Sequence, residues 1–562
     1  MSRFRVLITM NKSYISFLRD SFTQHWQLTA LTDYPGIQLK YSEVAQRVAT
    51  FHILFRDLGI KPGDKIALCG KNSSYWAVCF IAITTYGAVA VPLLHEFTPD
   101  NIQKITTHSE SRLLFVSDKI FKELQPEQMS TIEAIISIDE LKLVYGKVVN
   151  VDILTEEWEE HCKEVYTEAF SCESFCSQFY EYEADEMLIL NYTSGTTSNP
   201  KGVMIPTRAL SSNIEFAFKV IPIIKPGDNL VSVLPMAHAY GMAFEFIFMF
   251  SCGANIHFLT KPLYPNYILA SFKEVRPKLI IVVPLILEKI VRKGVFPQLE
   301  KFSIKTMRSL PLLRSMVNNK LREKLIETMG GNFYEAIAGG AALSRDVEEF
   351  LRGIKFPFTV GYGMTECAPI IGYADWKEAR PGSCGKAALH MEVKIDSEDP
   401  ANVPGEILAR GENVMLGYYK KEEETRSVLD ADGWLHTGDM GVMDKDGFIY
   451  IKGRCKTMFL GPSGQNIYPE DIESLMNANP YIAEAIVVQR EGKLVGLIYP
   501  DFQNRSINAV KNDPAAIEKI IDKQRTSINK NLPQYEQVAR FEIVEKEFEK
   551  TPKKSIKRFL YK

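Results

Sequence analysis

Five hydroxyl residues, two glycines and a lysine are packed into Tyr192-Thr-Ser-Gly-Thr-Thr-Ser-Asn-Pro-Lys-Gly202, between apolar runs at Met187–Leu190 and Val203–Ile205. A loop of small residues held between two strands lets backbone N–H groups crowd around an anion. Thr193, Ser194, Thr196, Thr197 and Ser198 add hydroxyl donors, Gly195 removes bulk, and Lys201 adds a positive charge. That equipment suits a polyphosphate. The Walker pattern is absent, because no Gly-Lys-Ser/Thr follows the first glycine at the required spacing. A second group, Gly361-Tyr-Gly-Met-Thr-Glu-Cys367, follows an apolar run. It offers an aromatic face, a hydroxyl and a carboxylate that can take Mg²⁺, without the third glycine of a dinucleotide fingerprint. Trp434-Leu-His-Thr-Gly-Asp439 places a carboxylate after a turn, where it can accept hydrogen bonds from ribose hydroxyls. Pro235-Met-Ala-His-Ala-Tyr-Gly241 sets His238 in apolar surroundings, a placement more typical of a satisfied core histidine than of a catalytic one.

The elements that must position these groups alternate. A helix is expected from Tyr41 with a cap at Ser42, ending near Gly59, then a short strand at Ile66–Leu68. Further strands are expected at Arg112–Val116, Ala134–Ser137, Leu230–Leu234, Ala254–Phe258 and Leu279–Val283, with helices between them. Such alternation argues for parallel sheets covered on both faces. Ser73–Leu94 carries no charge and is long enough to span a bilayer, yet Gly87 and Pro92 interrupt it, so a buried helix followed by a buried strand is expected. The run Met242–Phe250, which contains Glu245, reads as another buried helix. Phe121–Tyr182 is richer in glutamate, with a helical Glu156-Glu-Trp-Glu-Glu160, and reads as a peripheral excursion. Past Arg380 short strands and turns take over, at Glu392–Ile395, Gly405–Ala409 and Gly447–Ile451. After Gly453-Arg-Cys-Lys456 a unit of about a hundred residues of mixed α+β follows. It contains a helix at Pro469–Met476, a hairpin around Arg490–Lys493, a charged helix from Pro514 and a strand at Phe541–Val544.

A chain of 562 residues has material for more than one domain. Its hydrophobic fraction of 46% and charged fraction of 24% are ordinary for a globular protein. A net charge of −3 gives no support for nucleic-acid binding. The nine cysteines are scattered without metal-ligand pairs, as reduced intracellular thiols would be, and Cys172 and Cys176 read as incidental neighbours. At the N-terminus the apolar stretch is too short for a signal peptide, and Met10 is an alternative start to Met1.

In order along the chain, the loop at 192–202, Pro235–Gly241, Gly339-Gly-Ala-Ala-Leu343, Tyr362-Gly-Met-Thr-Glu366, Gly405–Gly411, Trp434–Asp439 and Gly453–Glu473 resemble the motifs of the adenylate-forming, AMP-binding superfamily. The likeness runs from about Tyr41 to the C-terminus and is nearest to the long-chain fatty acyl-CoA synthetases. It implies an α/β fold: a large N-terminal domain, residues 1–455, of two doubly wound α/β subdomains plus a small β-rich unit, and a small mobile α+β domain, residues 456–562. It also implies that Thr193, Ser194, Gly195, Thr196, Thr197 and Lys201 close over the β- and γ-phosphates of ATP. Gly340, Ala341 and Tyr362 would surround the adenine, Gly363 would also contact the nucleotide, Thr365 would touch the α-phosphate, and Glu366 would hold Mg²⁺. Asp439 and Arg454 would take the ribose hydroxyls, Lys456 would be the hinge, and His238 would border the acyl pocket.

The implied chemistry is attack of a carboxylate on the α-phosphorus of ATP, then displacement of AMP by a thiol, usually coenzyme A. Such chemistry needs phosphate charge neutralised and two anions aligned, more than it needs a protein nucleophile. One departure stands out. Relatives acting on long-chain acids commonly end in Thr-Pro-x-x-Lys-x-Lys-Arg, whereas this chain has Thr551-Pro-Lys-Lys-Ser-Ile-Lys-Arg558, with Ser555 where the adenylation lysine is expected. Lys554, ahead of Lys553, is the residue expected to supply that charge, since a long flexible stem tolerates a one-residue shift. The apolar, aromatic surroundings of Pro235–Phe250 suit an alkyl chain, so the expected substrate is a medium- to long-chain fatty acid. Two rivals stand beside transfer to coenzyme A: a fatty acyl-AMP ligase that delivers to an acyl-carrier protein, and a catalytically impaired acyl- or nucleotide-binding relative. The expected location is cytoplasmic. The basic tail Lys553–Lys562 is either the solvated end of the small domain or a peripheral contact with anionic lipid.

Overall fold

The computed structural model describes residues 12–146, 170–193, 201–299, 310–460, 466–490, 492–550 and 556–561. Its largest sheet has eight strands. Five of them, Met187–Thr193, Val89–Leu93, Lys65–Cys69, Ser111–Val116 and Ala134–Ser137, run parallel in that spatial order. Their near-continuous apolar sequences follow from burial on both faces. Beside Val89–Leu93 lies Met187–Thr193, then its antiparallel partner Lys201–Pro206, and last the two-residue strand Gly417–Tyr418. The uncharged Ser73–Leu94 run resolves as expected into a buried helix, Ser74–Tyr86, closed by Gly87 at φ +99°, and the strand Val89–Leu93. No helix among the described residues is long and apolar enough to cross a membrane.

A second, four-stranded sheet has the order Asn229–Ser232, Asn255–Leu259, Thr29–Tyr34, Gln38–Lys40. Its last two strands precede Tyr41, so the fold begins earlier than the motif likeness suggested. The helix Tyr14–His25 is integral too. The Tyr14 hydroxyl and the Thr84 Oγ1 lie 2.8 Å apart, and Phe22 packs edge-on against Tyr41, Phe175 and Phe250. The next helix spans Tyr41–Asp57, with Lys40 rather than Ser42 at its cap position. Glu43 reaches back to accept the Lys40 N–H at 2.7 Å, and Tyr41, buried, donates its hydroxyl to the Phe250 carbonyl.

The segment expected to be peripheral is partly core. Phe170, Phe175 and Phe179 cluster between the helices Tyr14–His25 and Tyr41–Asp57, and the Tyr182 hydroxyl donates to the Thr84 carbonyl. The expected helix at Glu156–Glu160 lies outside the described residues.

Two further sheets complete the large part. In one, Ile280–Val282, Ala336–Gly339 and Phe358–Gly363 are parallel, and Ile370–Tyr373 and Lys386–Ala387 continue it antiparallel. The other is the expected β-rich unit, Met391–Asp396, Gly405–Gly411, Leu435–Met443 and Ile449–Arg454, all antiparallel. The buried run before it is a π-helix over Gly241–Phe248, followed by one turn at Met249–Ser251. The main apolar core ends at Ile449. Separate cores form from Ile467 onward around the hairpin Ile482–Arg490 and Lys493–Pro500, its parallel neighbour Arg540–Ile543, and the helices Pro469–Asn477 and Pro514–Asn529. The molecule is therefore α/β, with a large N-terminal part and a small C-terminal α+β part.

Candidate active site

Thr193 and Lys201 are directly paired across the two strands that flank the hydroxyl-rich loop. Ser194, Gly195, Thr196, Thr197 and Ser198 lie outside the described residues. Lys201 opens the return strand, and its ammonium sits 2.5 Å from the Glu424 carboxylate and 4.7 Å from the centre of the Tyr418 ring. The other Glu424 oxygen is taken by Lys421. These cations, Lys201 first, hold the Glu424 carboxyl below its ordinary range.

The local fold explains the arrangement. Tyr418 pairs with Val203, and the Tyr419 N–H donates to the Gly202 carbonyl at 2.8 Å. A short helix, Glu422–Arg426, follows, and its Thr425 hydroxyl accepts the Tyr418 N–H at 2.9 Å. Sequence reasoning missed both Tyr418 and Glu424. The available signal was a Gly-Tyr-Tyr step just before the run Lys420-Lys-Glu-Glu-Glu424.

Tyr418 also reaches the second constellation, because its hydroxyl donates to Glu366 Oε1 at 2.9 Å. The Phe358–Gly363 strand ends in a tight reversal, and a Cβ on Gly363 would overlap the Pro369 carbonyl oxygen. The turn Thr365–Cys367 follows, with Thr365 buried and the Glu366 carbonyl accepting the Met415 N–H at 2.9 Å. Asn213 and Asn413 fix the far side by accepting from the N–H and donating to the carbonyl of Ile370, at 3.0 and 2.8 Å. Among the described residues no group of three carboxylate, histidine or cysteine side chains could hold a metal. A lone carboxylate fits Mg²⁺ only when substrate phosphates and water complete the shell, and Glu366 is a lone carboxylate of that kind.

Tyr362, one strand position before Gly363, donates its hydroxyl to Asp439 Oδ2 at 2.8 Å, while Asp439 Oδ1 pairs with Arg454 Nε at 2.8 Å. Asp439 sits within the strand Leu435–Met443, rather than after a turn, directly opposite Arg454. Burial pushes its carboxyl up, and Arg454 and Tyr362 pull it down. Burial and Asp439 raise the Tyr362 phenol well above its ordinary value, so it stays a donor. Gly339 and Gly361 are paired, which brings Gly340, at φ +86°, and Ala341 off the strand end alongside Tyr362; both are exposed.

His238 lies in the turn after the strand Asn229–Ser232, half-buried, with its Nδ1 accepting the Tyr240 N–H at 3.3 Å. The loop strand is tied to this turn, since Asn191 donates to the Ala237 carbonyl at 2.9 Å. Below it the fully buried Glu245 accepts from Ser232 Oγ and from the N–H groups of Val233 and Leu234. Burial pushes the Glu245 carboxyl up to about 8. Lys456 is exposed, two residues beyond Arg454 and next to Thr457, whose hydroxyl donates to Glu470 at 2.6 Å. Lys553, Lys554 and Ser555 lie outside the described residues. On either side of them Lys550 pairs with Glu484 and Arg558 with Glu473.

The structure thus joins Lys201 to Glu366 through Tyr418, and Tyr362 to Arg454 through Asp439. Such a site can neutralise phosphate charge at one end and accept two hydroxyls at the other.

The profile of the AMP-binding enzyme family matches residues 18–419, and that of the AMP-binding enzyme C-terminal domain matches residues 459–561. A long-chain-fatty-acid–[acyl-carrier-protein] ligase of Arabidopsis thaliana is 27% identical over 85% of this chain and 75% of its own length. A long-chain-fatty-acid–CoA ligase of Mycobacterium bovis is 26% identical over 92% of this chain and 89% of its own. Among solved structures, the anthranilate CoA ligase AuaEII in complex with anthranoyl-AMP superposes with a TM-score of 0.76 at 18% identity, covering 98% of this chain and 97% of that one. ATP-bound MatB from Rhodopseudomonas palustris gives 0.74 at 21%, covering 98% of each. These two structures share the fold.

Proposed function

The chain belongs to the AMP-binding enzyme family, and on that premise we propose that it activates a medium- to long-chain fatty acid with ATP and transfers the acyl group to coenzyme A. The observation that carries this reading is the line of contacts Glu424–Lys201–Tyr418–Glu366 lying beside Tyr362–Asp439–Arg454. It supplies a cation, a hard oxygen ligand and a ribose acceptor in the order a nucleotide requires.

In the first half-reaction a fatty carboxylate oxygen bonds to the α-phosphorus while the bond to pyrophosphate breaks. Lys201, with the hydroxyl-rich loop, neutralises the leaving phosphates, Thr365 donates to the α-phosphate, and Asp439 and Arg454 fix the ribose. Gly340, Ala341, Tyr362 and Gly363 form the adenine wall. Mg²⁺, held by Glu366 and the phosphates, would withdraw charge from the phosphoryl oxygens. In the second half-reaction a thiolate sulfur bonds to the acyl carbon and AMP leaves with the bonding electrons. Residues 456–562 form the domain that turns about Lys456 between the two, and Lys554 supplies the cation that Ser555 lacks. His238 borders the acyl chain.

Pyrophosphate release with saturated fatty acids of graded length tests the reading. A response confined to aromatic or amino acids overturns it. A second acceptor has specific support, since one of the similar proteins is named for transfer to acyl-carrier protein. Offering preformed acyl-adenylate to coenzyme A or to a pantetheinylated carrier protein separates the two. Separate Lys554→Ala and Lys553→Ala changes test the lysine assignment, which fails if neither slows adenylate formation.

A further inference from the structure

We propose that Tyr418 is a positioning residue that couples the phosphate-binding lysine to the carboxylate for Mg²⁺. The inference rests on the nucleotide reading above. Tyr418 lies on a two-residue strand at the edge of the large sheet, paired with Val203, so its backbone is fixed to the strand that Lys201 begins. Its ring spaces the Lys201 ammonium, 4.7 Å from the centroid. A cation over an aromatic face is attracted by the ring quadrupole, which limits where the flexible lysine stem can place its charge. At the far end of the same ring the hydroxyl donates to Glu366 Oε1 at 2.9 Å.

The surrounding fold holds this side chain in place. Gly417, at φ +142°, lets the chain pass close to Thr425, where a Cβ would lie 2.7 Å from Thr425 Cγ2. The Met415 N–H binds the Glu366 carbonyl, so the segment leading to Tyr418 is also anchored to the carboxylate's own backbone. One rigid phenol therefore sets the separation between a cation meant for phosphate and an anion meant for metal. Partners that orient a metal ligand typically matter about 10–100-fold for metal affinity or activity.

The test uses the full chain and a fluorescent ATP analogue, read with EDTA and across a Mg²⁺ titration, alongside ATP–pyrophosphate exchange. Tyr418→Phe keeps the ring and loses the hydroxyl. It is expected to leave analogue binding in EDTA unchanged and to raise the Mg²⁺ concentration for half-maximal binding by about tenfold or more. Tyr418→Leu also removes the ring and is expected to weaken binding in EDTA as well. An unchanged Mg²⁺ midpoint in Tyr418→Phe, with wild-type exchange intact, overturns the coupling role alone. Should Tyr418→Leu fail to fold, the phenylalanine variant still decides. Wild-type protein that neither binds the analogue nor exchanges pyrophosphate overturns the nucleotide reading itself.

Discussion

Asp439 and Arg454 face each other across adjacent antiparallel strands, 2.8 Å from Oδ1 to Nε, and differ sharply in exposure: 6% for the aspartate side chain and 62% for the arginine. The buried anion is thus held from below by the Tyr362 hydroxyl and covered from outside by a guanidinium that solvent also reaches. A hydroxyl pair arriving from a ribose would meet a carboxylate already oriented on both sides. With Asp439→Asn the Tyr362 hydroxyl keeps an acceptor, while the charge is lost. The preference for ATP over 2′-deoxyATP, measured as a ratio of kcat/KM, is expected to shrink by about tenfold, the scale of one hydrogen bond to a charged group.

Lys201 and Glu424 should respond in opposite directions. Removing the ammonium in Lys201→Ala takes away charge stabilisation at the leaving phosphates, and adenylate formation is expected to fall by about 10²–10³-fold. Glu424→Gln frees the same ammonium from a partly exposed ion pair, which is worth about 0–1 kcal/mol. The KM for ATP is therefore expected to fall by no more than about fivefold. Steady-state kinetics of the two variants measure both.

Three buried carboxyls give stability a pH dependence of definite sign. Burial raises Glu245 from 4.5 to about 8, and Glu335 and Glu473 to about 7 each. The native state therefore holds protons that the unfolded chain has already released. That contribution is fully present below pH about 4.5, shrinks as pH rises, and is gone above about 8. Replacing Glu245 by Gln, whose amide keeps an acceptor oxygen for Val233 and Leu234, is expected to flatten the decline of Tm between pH 5 and 8, read by calorimetry across that range.

A methyl group at Gly363 has nowhere to go. It would overlap the Pro369 carbonyl oxygen, which also accepts the Met364 N–H at 2.9 Å. Gly363→Ala is expected to cost about 1–3 kcal/mol or more and to displace the turn that carries Thr365 and Glu366. Gly353→Ala, on a helix where a Cβ meets nothing within 4 Å, is the matched control. Urea titration of both variants and nucleotide binding make the comparison.

Much of this architecture can be read from the chain because its strands are buried on both faces. The runs at Ala134–Ser137, Val89–Leu93 and Met187–Leu190 are apolar without alternation, and the structure places each in the large sheet. The glycine-bearing turn at Gly361–Cys367 was legible for a related reason, since few other sequences tolerate so tight a reversal. What stayed hidden depends on tertiary neighbours. Glu424 sits in Glu422-Glu-Glu-Thr-Arg426, which looks like any solvated helical face until Lys201 is placed opposite it. Phe170, Phe175 and Phe179 are interleaved with Ser, Glu and Cys, so their burial depends on the helix Tyr14–His25, which carries no motif. The next helix starts at Tyr41 as expected, but its cap position falls to Lys40 because Glu43 reaches back to it, where Ser42 had offered the more familiar cap.

With Glu424 and Lys421 at its side, Lys201 does not wait as a bare charge at the sheet edge. A triphosphate reaching this lysine would trade places with a carboxylate, so its entry is a swap of anions and not the quenching of an isolated cation. Fewer small ions are set free in a swap of that kind. Nucleotide affinity should then fade more gently with added potassium chloride than a count of the surrounding lysines suggests.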